Sequence, residues 1–314
     1  LADIYPSTAA VMAHYFEGSA LGIPSVVING GVSGEVNRAR ASKVPTALQV
    51  NAGGGAGGNP VVRALQLPTG VDAARYGRRR TLLDKLNARF LSQWPDVIAA
   101  QYEKSARDAV DITMKGDAAR AFDLTGVPLV PGANNGTRQR LTHAARLIEA
   151  GIPYVSMGIG GNDTHTGNMA RIPQNWGQEV DQGVVEVVNR IKATGKRTLI
   201  MMGGEFGRNP TSILQKDGRD HWGRGFSWAM ISVNQPAFKT GAIGDTGPDG
   251  VFQARNNDLV DHMEPKDLGA FMYRAMGFQV GAQVEFDVPL NDREAPPVDR
   301  VNKGGELMTQ FGLV

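Results

Sequence analysis

The sequence contains no cysteine. That excludes disulfides, thiolate zinc sites and cysteine nucleophiles together, so any metal centre has to be built from His, Asp and Glu. No charge of one sign dominates: 33 Lys and Arg stand against 31 Asp and Glu, a net charge of +2. Taken over the whole chain, that balance offers no footprint for nucleic acid or an anionic membrane, and any anion selectivity has to be local. Long apolar runs are missing too. The longest are strand-length pieces such as Leu199 to Met202, far short of the roughly 18 residues of a membrane span, so no transmembrane segment is expected. The chain opens on Leu1-Ala2-Asp3, with neither an initiator Met nor a charged and then apolar leader. The expectation is therefore a chain that lacks its N-terminal segment.

What is present is ordinary for a globular protein: 41% hydrophobic and 20% charged residues over 314 positions, enough for one large core and against disorder. No repeat or linker divides the chain, so residues 1–314 are read as a single domain. Glycine is in excess, with 40 residues. It gathers at Asn51 to Pro60, which reads as a loop, at Gly158 to Gly161 and at Gly203-Gly204.

The last two clusters each follow a strand-like run, Ile152 to Met157 and Thr198 to Met202. Between them Val180, Val184, Val187, Val188 and Ile191 recur at helical spacing before Gly195, and Arg138 to Ala150 places Leu141, Ala145 and Ile148 on one face before Gly151. The alternation of helix and strand predicts an α/β fold with a parallel, doubly wound sheet. Further helices are expected at Ser7 to Phe16, Thr81 to Phe90, Pro95 to Met114 and Pro265 to Met276, with strands near Ser25 to Asn29 and Phe226 to Ser232.

Ligands of open α/β sheets bind beyond the carboxyl ends of the strands, so the polar residues after Met157 and Met202 come first. In Gly161-Asn162-Asp163-Thr164-His165 an extended backbone puts Asp163 and His165 on the same side, as two ligands of one hard or borderline metal require. In Gly203-Gly204-Glu205-Phe206-Gly207-Arg208-Asn209-Pro210 a carboxylate and a guanidinium share a loop that a ligand can approach closely. Gly218-Arg219-Asp220-His221-Trp222, read as a loop, joins a His to a carboxylate. His221 is the expected ligand, and Asp220 is either a ligand or its helper. His143, in an Arg-rich helical segment, is read as a surface or packing residue. His14 and His262 carry no partner motif. Arg78-Arg79-Arg80 is read as a solvated helix start.

Taken in order, Ala121-Phe122-Asp123-Leu124, the helix Leu141 to Ala150 and the three polar segments just quoted resemble the bacterial domain-of-unknown-function 1501 family. That family is a sulfatase-like branch of the alkaline phosphatase superfamily. The match covers roughly residues 75 to 280, with a fainter trace at Tyr5-Pro6-Ser7-Thr8. The resemblance implies an alkaline-phosphatase-like α/β/α sandwich with a mostly parallel central sheet. It also implies hydrolysis of a phosphate or sulfate ester at a divalent-metal centre of Zn, Ca, Mg or Mn, with a periplasmic or cell-surface location.

On this resemblance Asp163 and His165 fall in the metal-ligand segment, Glu205 takes the place of a ligand carboxylate, and His221 that of a later ligand His. Together with Asp220 they form the candidate metal set, and Arg208 is the candidate for binding a small anionic ester substrate. Asn162 stands where the family has Trp. Phe206 stands where the superfamily has a second-site His, and a phenyl ring cannot coordinate, so two metals are not expected. No nucleophile is identified. The alternative function is a non-catalytic binding or assembly subunit with protein partners, on the same fold with a degenerate metal site.

Overall fold

A computed structural model of the chain describes residues 8–16, 25–28, 48–50, 70–93, 120–159, 163–256, 258–278 and 303–313. The expected loop at Asn51 to Pro60 and helix at Pro95 to Met114 lie outside these residues. The chain divides into two compact units, one of Leu1–Ile159, Glu179–Arg190 and Val288–Ala295, the other of Gly160–Gln178, Ile191–Asp287 and Pro296–Val314.

In the first unit α1 (Thr8–Tyr15), β1 (Ser25–Ile28), β2 (Leu48–Val50), α2 (Ala73–Gln93), α3 (Asn135–Ala150) and β3 (Tyr154–Met157) follow in order. The strands form a parallel sheet, β2-β1-β3, with Val26 opposite Leu48 and Ser25 opposite Tyr154. Ala9, Val11 and Met12 of α1 are buried, and Ala9 packs on Tyr154. α3 starts before the point its periodicity predicts, because the Asn134 side chain accepts from Thr137 N at 3.0 Å and caps it. It ends, as expected, at Gly151 in the left-handed region with φ 97°. Glu179 is fully buried, and its Oε1 accepts from the backbone N–H groups of Ala133 and Asn134 at 3.1 and 2.6 Å. That places a carboxylate just ahead of the positive end of α3.

The second unit contains α4 (Asn168–Ile172), the end of α5 (Val185–Ala193), β4 (Thr198–Gly203), β5 (Gly207–Leu214), β6 (Gly218–Trp222), β7 (Trp228–Val233), β8 (Asp245–Thr246), β9 (Phe252–Gln253), α6 (Pro265–Ala275) and α7 (Gly304–Gln310). The helix expected over 174–194 is regular only in α5. It is preceded by wide turns at Pro173–Gly177 and Glu179–Val184.

Two expectations need correction. The fold is α/β, but the mostly parallel central sheet is absent among the described residues, and with it the alkaline-phosphatase-like sandwich. Only the three-stranded sheet is parallel; β4 with β7, β5 with β6 and β8 with β9 are antiparallel pairs. The reason lies in the connection. Chain that leaves β4 at Gly203 returns to pair Trp228 against that same residue, and a return at the same end of a strand gives an antiparallel neighbour, whereas a parallel one needs a crossover. The segment from Gly218 to Trp222, expected as a loop, is strand β6.

Among the described residues of the second unit, Val260, Phe271, Leu307 and Met308 form a buried cluster, packed against Leu199 of β4 and Met230 of β7 as well as Phe238 and Phe311. α6 begins with Pro265 at its first position and a capping box between Glu264 and Asp267. Asp267 Oδ1 also accepts from Lys303 N at 2.8 Å, which ties α7 to α6. The helices thus hold the β4–β7 pair from which the polar segments emerge. Phe271 is fully buried and lies 5.5 Å from the Phe311 ring. Phe271→Ala should therefore lower stability by about 3–5 kcal/mol in urea titrations of the whole chain.

Candidate metal centre

The site is built on the β5–β6 pair. Arg208 and His221 are cross-strand partners, and the register slips between Arg208 and Ile213. The slip contains Pro210, which has no N–H to give to a ladder. The Arg219 guanidinium fills the bulge by donating from Nη1 to the Asn209 and Pro210 carbonyls at 2.9 and 2.6 Å. The strands turn through Lys216 and Asp217, both left-handed at φ 54° and 57°, a conformation uncommon for residues other than glycine.

Against this pair lies the segment that begins at Asp163. Gly167 N donates to Lys216 O at 2.7 Å and Arg219 N to Thr164 O at 3.2 Å. Gly218 makes the approach feasible, since a Cβ there would overlap the His165 carbonyl oxygen. Thr164 is fully buried and donates its hydroxyl to Asn168 Oδ1 at the start of α4. With Thr164 turned inward, Asp163 and His165 on either side of it turn outward together, as the extended spacing predicts.

Three ligand atoms converge as a result. Asp163 Oδ1 lies 3.1 Å from His165 Nε2 and 3.2 Å from His221 Nε2, and the two Nε2 atoms are 3.1 Å apart. Around an ion bonded to N and O ligands at about 2.0–2.2 Å, neighbouring ligand atoms lie roughly 2.8–3.6 Å apart. The triangle therefore has the size that a divalent ion requires, and the donor set suits zinc and other first-row metals. Without an ion the same distances are hydrogen bonds among the two rings and the carboxylate, with a ring N–H donating to Asp163 Oδ1 or to the other ring.

The residues around the triangle orient it. Asp220 Oδ1 faces His165 Nδ1 at 3.5 Å, which favours a proton on Nδ1 and leaves the Nε2 lone pair to the cluster. The same carboxylate oxygen accepts from His221 N at 2.8 Å. The Phe206 ring lies 4.1 Å from the His221 ring and supports it. Arg208 donates to Asp163 Oδ1 at 2.5 Å from Nη2 and to Arg219 O at 3.1 Å from Nη1. The Arg208 hydrogen bond, then that of His221, holds the Asp163 carboxyl below its ordinary range, so the group stays ionised.

Of the residues expected from the sequence, Asp163, His165 and His221 form the group able to hold an ion. Arg208 touches it directly, and Asp220 sits behind His165. Glu205 is exposed between β4 and β5 and does not belong to the three. His143 is buried and packs, with Nε2 3.2 Å from Phe122 O. Burial pushes its pKa down. Gly218, Arg219 and Thr164, which set the geometry, carry no sequence signal of their own. A small residue followed by Arg beside a bulge-forming Asn-Pro is the nearest hint.

The sequence matches the family described as "Protein of unknown function (DUF1501)" over residues 2–285. No curated protein and no solved structure matches it.

Zinc added at about 100 times its dissociation constant should stabilise the wild type by about 2.7 kcal/mol. Thermal unfolding should show no such gain for His221→Ala. Gly218→Ala should cost about 1–3 kcal/mol on its own and also lose the zinc effect, since the 163–167 backbone is pushed off β6.

Proposed function

We propose, for a chain that belongs to the DUF1501 family, that Asp163, His165 and His221 hold one divalent ion, and that the protein is a metal-dependent hydrolase of phosphate or sulfate esters of the sulfatase-like type. The observation that carries this reading is the convergence of one carboxylate oxygen and two imidazole nitrogens at 3.1–3.2 Å, with Arg208 in contact. A divalent ion held there would supply Lewis-acid chemistry toward an ester oxygen.

The residues of the chain supply the rest. Asp220 faces His165 Nδ1 at 3.5 Å, which favours the tautomer that presents Nε2, and the Phe206 ring packs on His221. Arg208, whose side chain is only 19% exposed, places a fixed positive charge beside the cluster, which favours a tetrahedral anionic group there. With both imidazoles and Asp163 assigned to the ion, none of the three is the attacking group.

A second reading, a binding or assembly subunit with a degenerate site, is favoured by one observation. Phe206 packs on His221 at 4.1 Å, so an apolar ring stands where another ligand would have to approach. Kinetics separate the two. Protein loaded with zinc or manganese should hydrolyse aryl phosphate or aryl sulfate, with His165→Ala lowering kcat/KM by about 10²-fold or more. Arg208→Ala should act mainly through KM, raising it about tenfold. Ion binding without turnover of either ester supports the assembly reading instead.

A further inference from the structure

We propose that α2 (Ala73–Gln93) is an interfacial helix that lies on an anionic lipid surface. The helix turns its sides opposite to the usual way. Tyr76 and, spaced three, four and three residues apart, Gly77, Arg80, Asp84 and Asn87 are its half-buried residues. Its large apolar side chains point out, with Leu82 60%, Leu83 44%, Leu86 57% and Phe90 54% exposed. These four fall on one stripe of the helix. A surface helix in water carries such a stripe toward its core, so this one is built to meet a second apolar phase.

The charge around the stripe says which phase. α2 holds six basic residues and one acid. The acid, Asp84, sits on the half-buried face 3.8 Å from Arg80. Arg78, Lys85 and Arg89 run along one edge of the stripe, Arg75 and Arg79 stand at its N-terminal end, and all five are exposed. The near-zero net charge of the chain, +2, thus conceals a helix face whose charges within α2 are all basic.

An anionic bilayer answers both features, because its headgroups pair with Arg and Lys while its acyl boundary takes the leucines and Phe90. A nucleic acid would neutralise the cations and leave four apolar side chains in water. A second copy of α2 would face five like charges. At about 30 Å in length the helix lies in the interface. No helix among the described residues is long and apolar enough to cross a membrane. None of the metal-cluster residues is involved, so this proposal and the ester-hydrolase reading stand or fall separately.

Co-sedimentation of the full chain with vesicles tests it. Vesicles of phosphatidylglycerol in phosphatidylcholine should bind the protein, and phosphatidylcholine alone should bind it at least about tenfold more weakly. Raising the salt should release it. Leu82→Glu with Leu86→Glu should weaken binding at least about tenfold, and so should Arg79→Glu with Arg89→Glu. Unchanged circular dichroism would show that both exposed-site variants are folded. The proposal is overturned if anionic vesicles do not bind the wild type, or if neither pair of substitutions matters. It is equally overturned if the apolar pair instead abolishes self-association in sedimentation velocity.

Discussion

The candidate centre depends on one close backbone approach, between the segment at 163–167 and the β5–β6 pair. Two hydrogen bonds, Gly167 N to Lys216 O and Arg219 N to Thr164 O, fix the separation, and the absence of a side chain at Gly218 permits it. The two distances from His221 to Asp163 and His165 follow from that contact, since Asp163 and His165 stand on one side of it and His221 and Arg208 on the other. The left-handed turn at Lys216 and Asp217 and the bulge filled by Arg219 are the local distortions that let β5 and β6 present both residues to the same place.

The triangle is also a small study in competition. Asp163 Oδ1 receives Arg208 at 2.5 Å and faces both imidazoles at 3.1–3.2 Å, more partners than one oxygen needs. An ion would take the two Nε2 lone pairs and the carboxylate together. All three ligand residues are well exposed, so little stability rests on them.

Much of the site was legible in the sequence, and for a physical reason. The Asp-x-His spacing on extended chain determines a shared side, and strand ends with glycine-rich polar loops determine where to look. His221 was reachable because a His beside a carboxylate is a recognisable ligand pair. Asp220 reads in the sequence as either ligand or helper, and it faces His165 Nδ1 rather than the centre of the triangle. Glu205 was expected in the centre because of its loop, but a loop position does not determine side-chain direction, and the residue points to solvent. The elements were mostly foreseen as well, from α3 and α6 to β3 and β4. Their pairing was not, because periodicity reports which face is apolar and says nothing of which strand lies alongside. The antiparallel β4–β7 pair comes from a return connection that no hydrophobic pattern encodes.

The outward leucines of α2 show the same limit. Their spacing announces an amphipathic helix, and only the structure shows which way it faces. The central claim, a single-ion centre, is tested most directly by metal analysis of zinc-loaded, dialysed protein together with an anomalous map of its crystals. The account predicts one ion per chain, at about 2.0–2.2 Å from Asp163 Oδ1, His165 Nε2 and His221 Nε2, and none in His165→Ala. Zinc-loaded wild type without an ion at that position, or with the same content as His165→Ala, contradicts it.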